Sequence, residues 1–214
     1  VLDCPDLVKE YLVLRQALDK GQMGLLLPDH WEDNPNQLHF FRRILIDYPE
    51  KLEGKSYFWR GFFAGDPETD FSAWLYSDLL FGITVQLPNL REQALDRLRN
   101  LHDQFQSDAR IAFYYAKSLS NLSVEETEET CSKSVARLME LCEKYADSEE
   151  IAAAYANGLL NLTAERPREE CGESVVRLRE LHEKYVDNEK ITTAYANGLF
   201  NLILKQTREE CMQS

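Results

Sequence analysis

From Glu129 onward the apolar residues recur at three- and four-residue spacing. Val135, Leu138, Leu141, Cys142 and Tyr145 form one such stripe, and Ile151, Tyr155, Leu159 and Leu162 form a second. Each predicts an amphipathic helix with one buried face. The two stripes are separated by the polar stretch Ala146 to Glu150, in which Asp147 followed by Glu150 has the spacing of a helix-start capping box. In the following stretch Asp187 precedes Ile191 in the same way. Pro167, in the polar linker TAERPREE, suits the first turn of a helix, where its missing N–H would have no intrahelical partner.

Laying the chain over itself shows why the pattern recurs. YAKSLSNLS begins at Tyr115, YANGLLNLT at Tyr155 and YANGLFNLI at Tyr195, so successive copies are offset by 40 residues without insertion. The same offset relates Cys131, Cys171 and Cys211, then Leu138 and Leu178, Leu141 and Leu181, and Tyr145 and Tyr185. The predicted architecture is all-α: a right-handed α-α superhelix, or solenoid, of two-helix repeats with a 40-residue period. Helix pairs are expected at 91–105/109–123, 129–145/148–163 and 169–185/188–204, within repeats 91–128, 129–168 and 169–208. Residues 209–214, EECMQS, read as the start of a further repeat. With that ending, and a first residue that is not Met, the chain is expected to be part of something longer.

Upstream the repeat decays. YSDLLFGIT from Tyr76 aligns with YAKSLSNLS at an offset of 39, which predicts a divergent copy whose first helix is Leu38 to Tyr48. The stretch from Lys51 to Asp70 breaks the period with glycines and aromatic residues and reads as an inserted aromatic turn. Pro5 to Lys20 is a further amphipathic helix. Residues 1–90 are therefore expected to form an N-terminal helical cap over the regular repeats of 91–214.

The alanine-rich helices ending in Leu-Asn-Leu, AAAYANGLLNL from Ala152 and TTAYANGLFNL ending at Leu202, resemble the closing helix of armadillo repeats, with HEAT-like and tetratricopeptide-like packing as alternatives. The resemblance covers roughly Arg91 to Cys211. It departs from the armadillo pattern before the closing helix, where EECGES at Glu169 to Ser174 leaves room for little more than one turn of a separate short helix. In armadillo arrays an Asn near the end of that helix holds the main chain of an extended peptide, and the resemblance places Asn121, Asn161 and Asn201 in that role. One turn earlier, where peptide-binding members carry Trp, stand Lys117, Asn157 and Asn197, so aromatic slots for lysine side chains are missing. Residues four apart share a helix face, which makes these six a row of polar groups able to line a concave peptide-binding surface. The alternative for the Asn residues is hydrogen bonding to neighbouring repeats or to the turn between helices.

Charge narrows the partner. With 37 acids against 24 bases the net charge is −13, which speaks against nucleic acid and either favours a neutral or basic protein or peptide or merely keeps an elongated scaffold soluble. No stretch approaches the roughly 20 apolar residues of a membrane helix. Five cysteines, an odd number, fit an intracellular, reducing, cytoplasmic setting. Residues at one phase of stacked repeats sit about 8–10 Å apart, beyond the roughly 7 Å of a disulfide. Cys131, Cys171 and Cys211 are thus expected as small buried residues, and His102, Cys142 and His182 are too far apart to share one zinc. No phosphate-binding loop, nucleophile elbow, H-E-x-x-H or C-x-x-C motif occurs. Neither a catalytic residue, a metal nor a cofactor is expected. The paired acids Glu169-Glu170 and Glu209-Glu210 read as first-turn residues complementing a helix dipole. Two functions follow: a non-catalytic protein-interaction scaffold, or an enzyme or small-molecule sensor with a pocket in the N-terminal aromatic region. The second would use His30, His39, Asp66, Glu68 and Asp70 near Trp59 and Arg60.

Overall fold

The computed structural model describes residues 31–33, 38–39, 41–43, 46, 60, 62–122, 128–165 and 168–213. Every regular element among them is helical. The expected helix at Pro5 to Lys20, most of the Leu38 to Tyr48 helix and of the aromatic turn, and Cys4, His30 and Trp59 lie outside the described residues. The chain forms two compact units, Val1–Tyr115 and Ala116–Ser214. The division falls within the helix at 109–122, where Tyr114 packs on Phe81, with ring centroids 6.0 Å apart, and Tyr115 on His102 at 5.7 Å.

In the first unit, helix α1 spans Asp70–Gln86. Thr69 caps it: its hydroxyl accepts the Ser72 N–H while the Ser72 hydroxyl accepts the Thr69 N–H, so two amides that a helix start leaves unpaired are satisfied together. The helix stops at Leu87 before the 3₁₀ turn Pro88–Leu90, since proline cannot supply the next amide. Helix α2, Arg91–Gln104, packs on α1 and buries Ala94, Leu98, Leu101 and His102. The core of α1 is Tyr76, Leu79, Leu80 and Ile83. Tyr76 stacks edge-on against Phe62 at 5.1 Å, and its hydroxyl donates to the Phe62 carbonyl at 2.5 Å. Burial pushes that hydroxyl well above the ordinary tyrosine range. A second 3₁₀ turn, Trp31–Asp33, pins the approach to α1: Glu32 accepts the Asp66 N–H at 3.3 Å, and Asp33 accepts the Glu68 N–H at 3.0 Å and the Ser72 hydroxyl at 3.2 Å.

Helix α3 is Ala109–Leu122. In the second unit follow α4, Glu128–Lys144, α5, Glu149–Glu165, α6, Arg168–Lys184, and α7, Glu189–Gln213. Helix α5 packs on α4, α6 and α7, and α6 packs on α7. The helix–helix turns share one construction. The N–H groups of Tyr145 and Tyr185 close back on Leu141 and Leu181, each at 2.9 Å, and the tyrosine carbonyls accept from Ser148 and Asn188. Phe105 does the same between α2 and α3. The helix caps are Ser148, whose hydroxyl accepts the Ile151 N–H at 3.3 Å, and Asn188, whose carbonyl oxygen accepts the Ile191 N–H at 3.2 Å. The caps therefore fall one residue after Asp147 and Asp187, because only a side chain three residues before the isoleucine reaches its amide.

Leu138, Leu141, Tyr155 and Leu159 are buried, as their facing stripes require, and Leu162 is half-buried. The helices meet most closely at glycine: a Cβ on Gly158 would lie 2.8 Å from Leu138 Cδ1, and one on Gly198 would lie 2.8 Å from Leu178 Cδ1. Helix α7 continues through 209–213, where the sequence suggests the opening of another repeat. Thr207 stands where the preceding linker has Pro167, and its hydroxyl donates to the Ile203 carbonyl at 3.1 Å inside the uninterrupted helix. With neither proline nor glycine at this point, nothing ends α7.

Candidate functional site

The six polar residues singled out in the sequence divide into two sets. Lys117 and Asn121 on α3, Asn157 on α5 and Asn197 on α7 are exposed, whereas Asn161 and Asn201 are half-buried. The half-buried pair reaches sideways to the preceding second helix. Asn161 Nδ2 donates to the Ser120 carbonyl at 3.4 Å, and Asn201 Nδ2 donates to Thr163 Oγ1 at 3.0 Å. Thr163 is fully buried and in turn donates to the Leu160 carbonyl at 2.7 Å, so Asn201 completes a small internal network. Lys205 adds a bond from its ammonium to the Ala164 carbonyl at 3.1 Å. These bonds hold second helices side by side, and the exposed amides one turn earlier stand clear of them.

The cysteine and histidine series do chemistry of a quieter kind. Cys131, Cys142 and Cys171 are buried free thiols, and burial pushes the thiols of Cys142 and Cys171 up, away from the reactive thiolate. His102 and His182 lie against Tyr115 and Tyr195, at 5.7 and 5.5 Å between ring centroids. Among the described residues, no three His, Cys, Asp or Glu side chains are placed to hold a metal. No described helix is long and apolar enough to cross a membrane.

Three acids of the aromatic region, Asp66, Glu68 and Asp70, lie at the approach to α1. Asp66 pairs with Arg97 at 3.3 Å, the Glu68 amide is held by Asp33, and Asp70 sits in the first turn of α1. His39 does line a cleft in the first unit, of about 230 Å³, with Leu38, Arg42, Trp74, Leu75, Asp78 and Tyr114. Arg42 Nε meets Asp78 Oδ2 at 2.5 Å. Tyr114 lines the cleft beside the same carboxylate and Trp74. Trp74 carries the Arg110 guanidinium 5.1 Å from its ring centre. Sequence reading missed Trp74, Asp78 and Tyr114. The available signal was the i,i+4 spacing of Trp74 and Asp78, which puts both on one face of α1.

Burial, then the Asp78 charge, pushes Tyr114 up to about 12. A group whose folded value is raised contributes stability that is whole below the unfolded value of 10.0 and is lost as pH climbs through the folded one. Alkaline titration should therefore show one tyrosinate appearing near pH 12 that Tyr114→Phe removes, with stability falling from pH 10.0 upward. A Tyr114 that ionises with the exposed tyrosines would disprove its burial beside Asp78.

No family model, curated protein or solved structure matches this chain.

Proposed function

We propose that the chain is a non-catalytic protein-interaction scaffold: an α-solenoid, coiled as a right-handed superhelix of two-helix units with a 40-residue period. Its concave face holds an extended or helical segment of another protein. The observation that carries the reading is the exposure of Lys117, Asn157 and Asn197 at matching positions of successive second helices, beside amides that tie those helices together. A carboxamide donates and accepts at once, so such a row can satisfy a peptide backbone whatever its side chains. The excess of acids favours a neutral or basic segment. The buried thiols suit a reducing, cytoplasmic setting.

The two amide sets respond differently to substitution. Replacing Lys117, Asn157 and Asn197 with Ala should abolish capture of the partner in a pull-down from lysate while leaving Tm unchanged. Replacing Asn161 and Asn201 with Ala should instead cost about 0.5–1.5 kcal/mol of stability each. Undiminished capture by the exposed-row variant would overturn the reading.

The cleft of Trp74, Asp78 and Tyr114 favours a second reading, small-molecule sensing by the first unit. Ligands that raise Tm should then lose their effect in Asp78→Asn. A ligand screen giving no such dependence would remove this alternative.

A further inference from the structure

The cleft of the first unit carries an anion and a cation in its wall, and the two touch. Asp78 is rooted in α1 with its side chain only 15% exposed, while the side chain of Arg42 is 53% exposed. Their pairing leaves capacity on both sides. A guanidinium has five N–H donors and a carboxylate about four acceptor positions, and even a bidentate contact uses two of each. Around the pair the wall is apolar and aromatic: Leu38 is buried, and Trp74, Leu75 and Tyr114 are half-buried.

This wall is held in place by its own contacts. The Arg110 guanidinium that lies 5.1 Å from the Trp74 ring centre is itself fixed by Asp108, at 3.0 and 2.6 Å, and Tyr114 packs on Phe81. A wall ordered in advance lowers the cost of binding. The volume, about 230 Å³, falls below the roughly 300–1,000 Å³ of pockets for drug-sized ligands, and suits a molecule no larger than one amino acid.

The ion pair sets the charge of the ligand. A molecule with a positive charge alone would lie against Arg42, and one with a negative charge alone against Asp78, on a chain of net charge −13. A molecule carrying both charges on one carbon sets each against its opposite. We propose that the cleft binds a free α-amino acid with an apolar or aromatic side chain. Its ammonium donates to Asp78, its carboxylate accepts from Arg42, and its side chain packs on Trp74, Leu75 and Tyr114. Inside a peptide neither backbone charge remains, so the ligand is the free amino acid and not a segment of a protein. The proposal rests on the small-molecule reading of the first unit and names the ligand class for it.

Isothermal titration calorimetry of the chain with the standard L-amino acids tests it, followed by the amine and the carboxylic acid that correspond to the tightest of them. An apolar or aromatic amino acid should bind at one site, and removing either its carboxylate or its ammonium should weaken binding by about tenfold or more, the effect of one charge-assisted hydrogen bond. Two variants should then invert the preference. Arg42→Gln should weaken the amino acid by about tenfold and tighten the amine, which meets an unpaired Asp78. Asp78→Asn should weaken the amino acid likewise and tighten the acid, which meets an unpaired Arg42. A loss of fold does not produce such an inversion, and the analogue series on the parent chain needs no variant. An amino acid that its amine or its acid matches in affinity, or whose binding survives both substitutions, would overturn the proposal. If only molecules of one sign bind, and Asp78→Asn abolishes them, the amino-acid assignment falls while small-molecule sensing stands. If no amino acid or analogue binds, the assignment falls, and a wider screen without Asp78-dependent ligands takes the sensing reading with it.

Discussion

Leu138→Ala should lower the free energy of unfolding by about 2–5 kcal/mol in a denaturant melt, the range for truncating a buried leucine. Leu138 is fully buried on the inner face of α4, with one methyl close to the bare backbone of Gly158. The helices are already near their closest approach there, so the cavity left by the lost methyls cannot collapse, and the cavity cost adds to the transfer cost. The neighbouring Arg137 supplies the control. It pairs with Glu140 at 2.5 Å, but both side chains are solvent-accessible and three residues apart on one helix, where an ion pair contributes little. Arg137→Ala should therefore change stability by less than about 0.5 kcal/mol. If the two variants melt alike, the core stripe of α4 has been assigned to the wrong face.

Helices in the C-terminal part were legible because burial imposes a 3.6-residue rhythm on a chain whose turns are polar. The stripe from Val135 to Tyr145 predicts a helix at 129–145, and α4 is Glu128–Lys144. Caps were less legible. Asp147 and Ser148 are both good N-cap residues, and the choice between them depends on where the Tyr145 turn places the chain. Helix α7 outran its expected end at 204 because the signal there is negative, the missing proline at Thr207. In the aromatic N-terminal region no period exists to read. Tyr76 reaches the Phe62 carbonyl, 14 residues away, and Arg97 reaches the Gly65 carbonyl, 32 residues away, contacts that no local pattern announces. The amide row was legible as a row. Whether each amide turns outward, as Asn157 does, or sideways to a neighbouring helix, as Asn201 does, depends on the partner helix supplying Thr163 as an acceptor.

Gly158→Val should destabilise the fold by about 1–3 kcal/mol or more, although valine has the better helix propensity. Propensity alone would favour the change by a few tenths of a kcal/mol, because glycine in a helix interior is the more costly residue. Packing outweighs it. The new Cβ would stand 2.8 Å from Leu138 Cδ1 and 3.3 Å from Val135 Cγ2, and valine's methyls would reach further into the same seam. Leu138 has little room to turn away, because it is itself buried between the helices. At Gly198 the Leu178 contact is as close, but the next neighbours stand at 3.6 and 3.7 Å rather than 3.3 Å, so Gly198→Ala should be less harmful than Gly158→Ala. The contact itself can be isolated by combining the two large changes. Leu138→Ala opens the space that Gly158→Val fills, so the double variant should be more stable than the sum of the two losses predicts, by about 0.5–3 kcal/mol of coupling. Strict additivity would mean that the two residues do not touch, and that the close approach of α4 and α5 is made elsewhere.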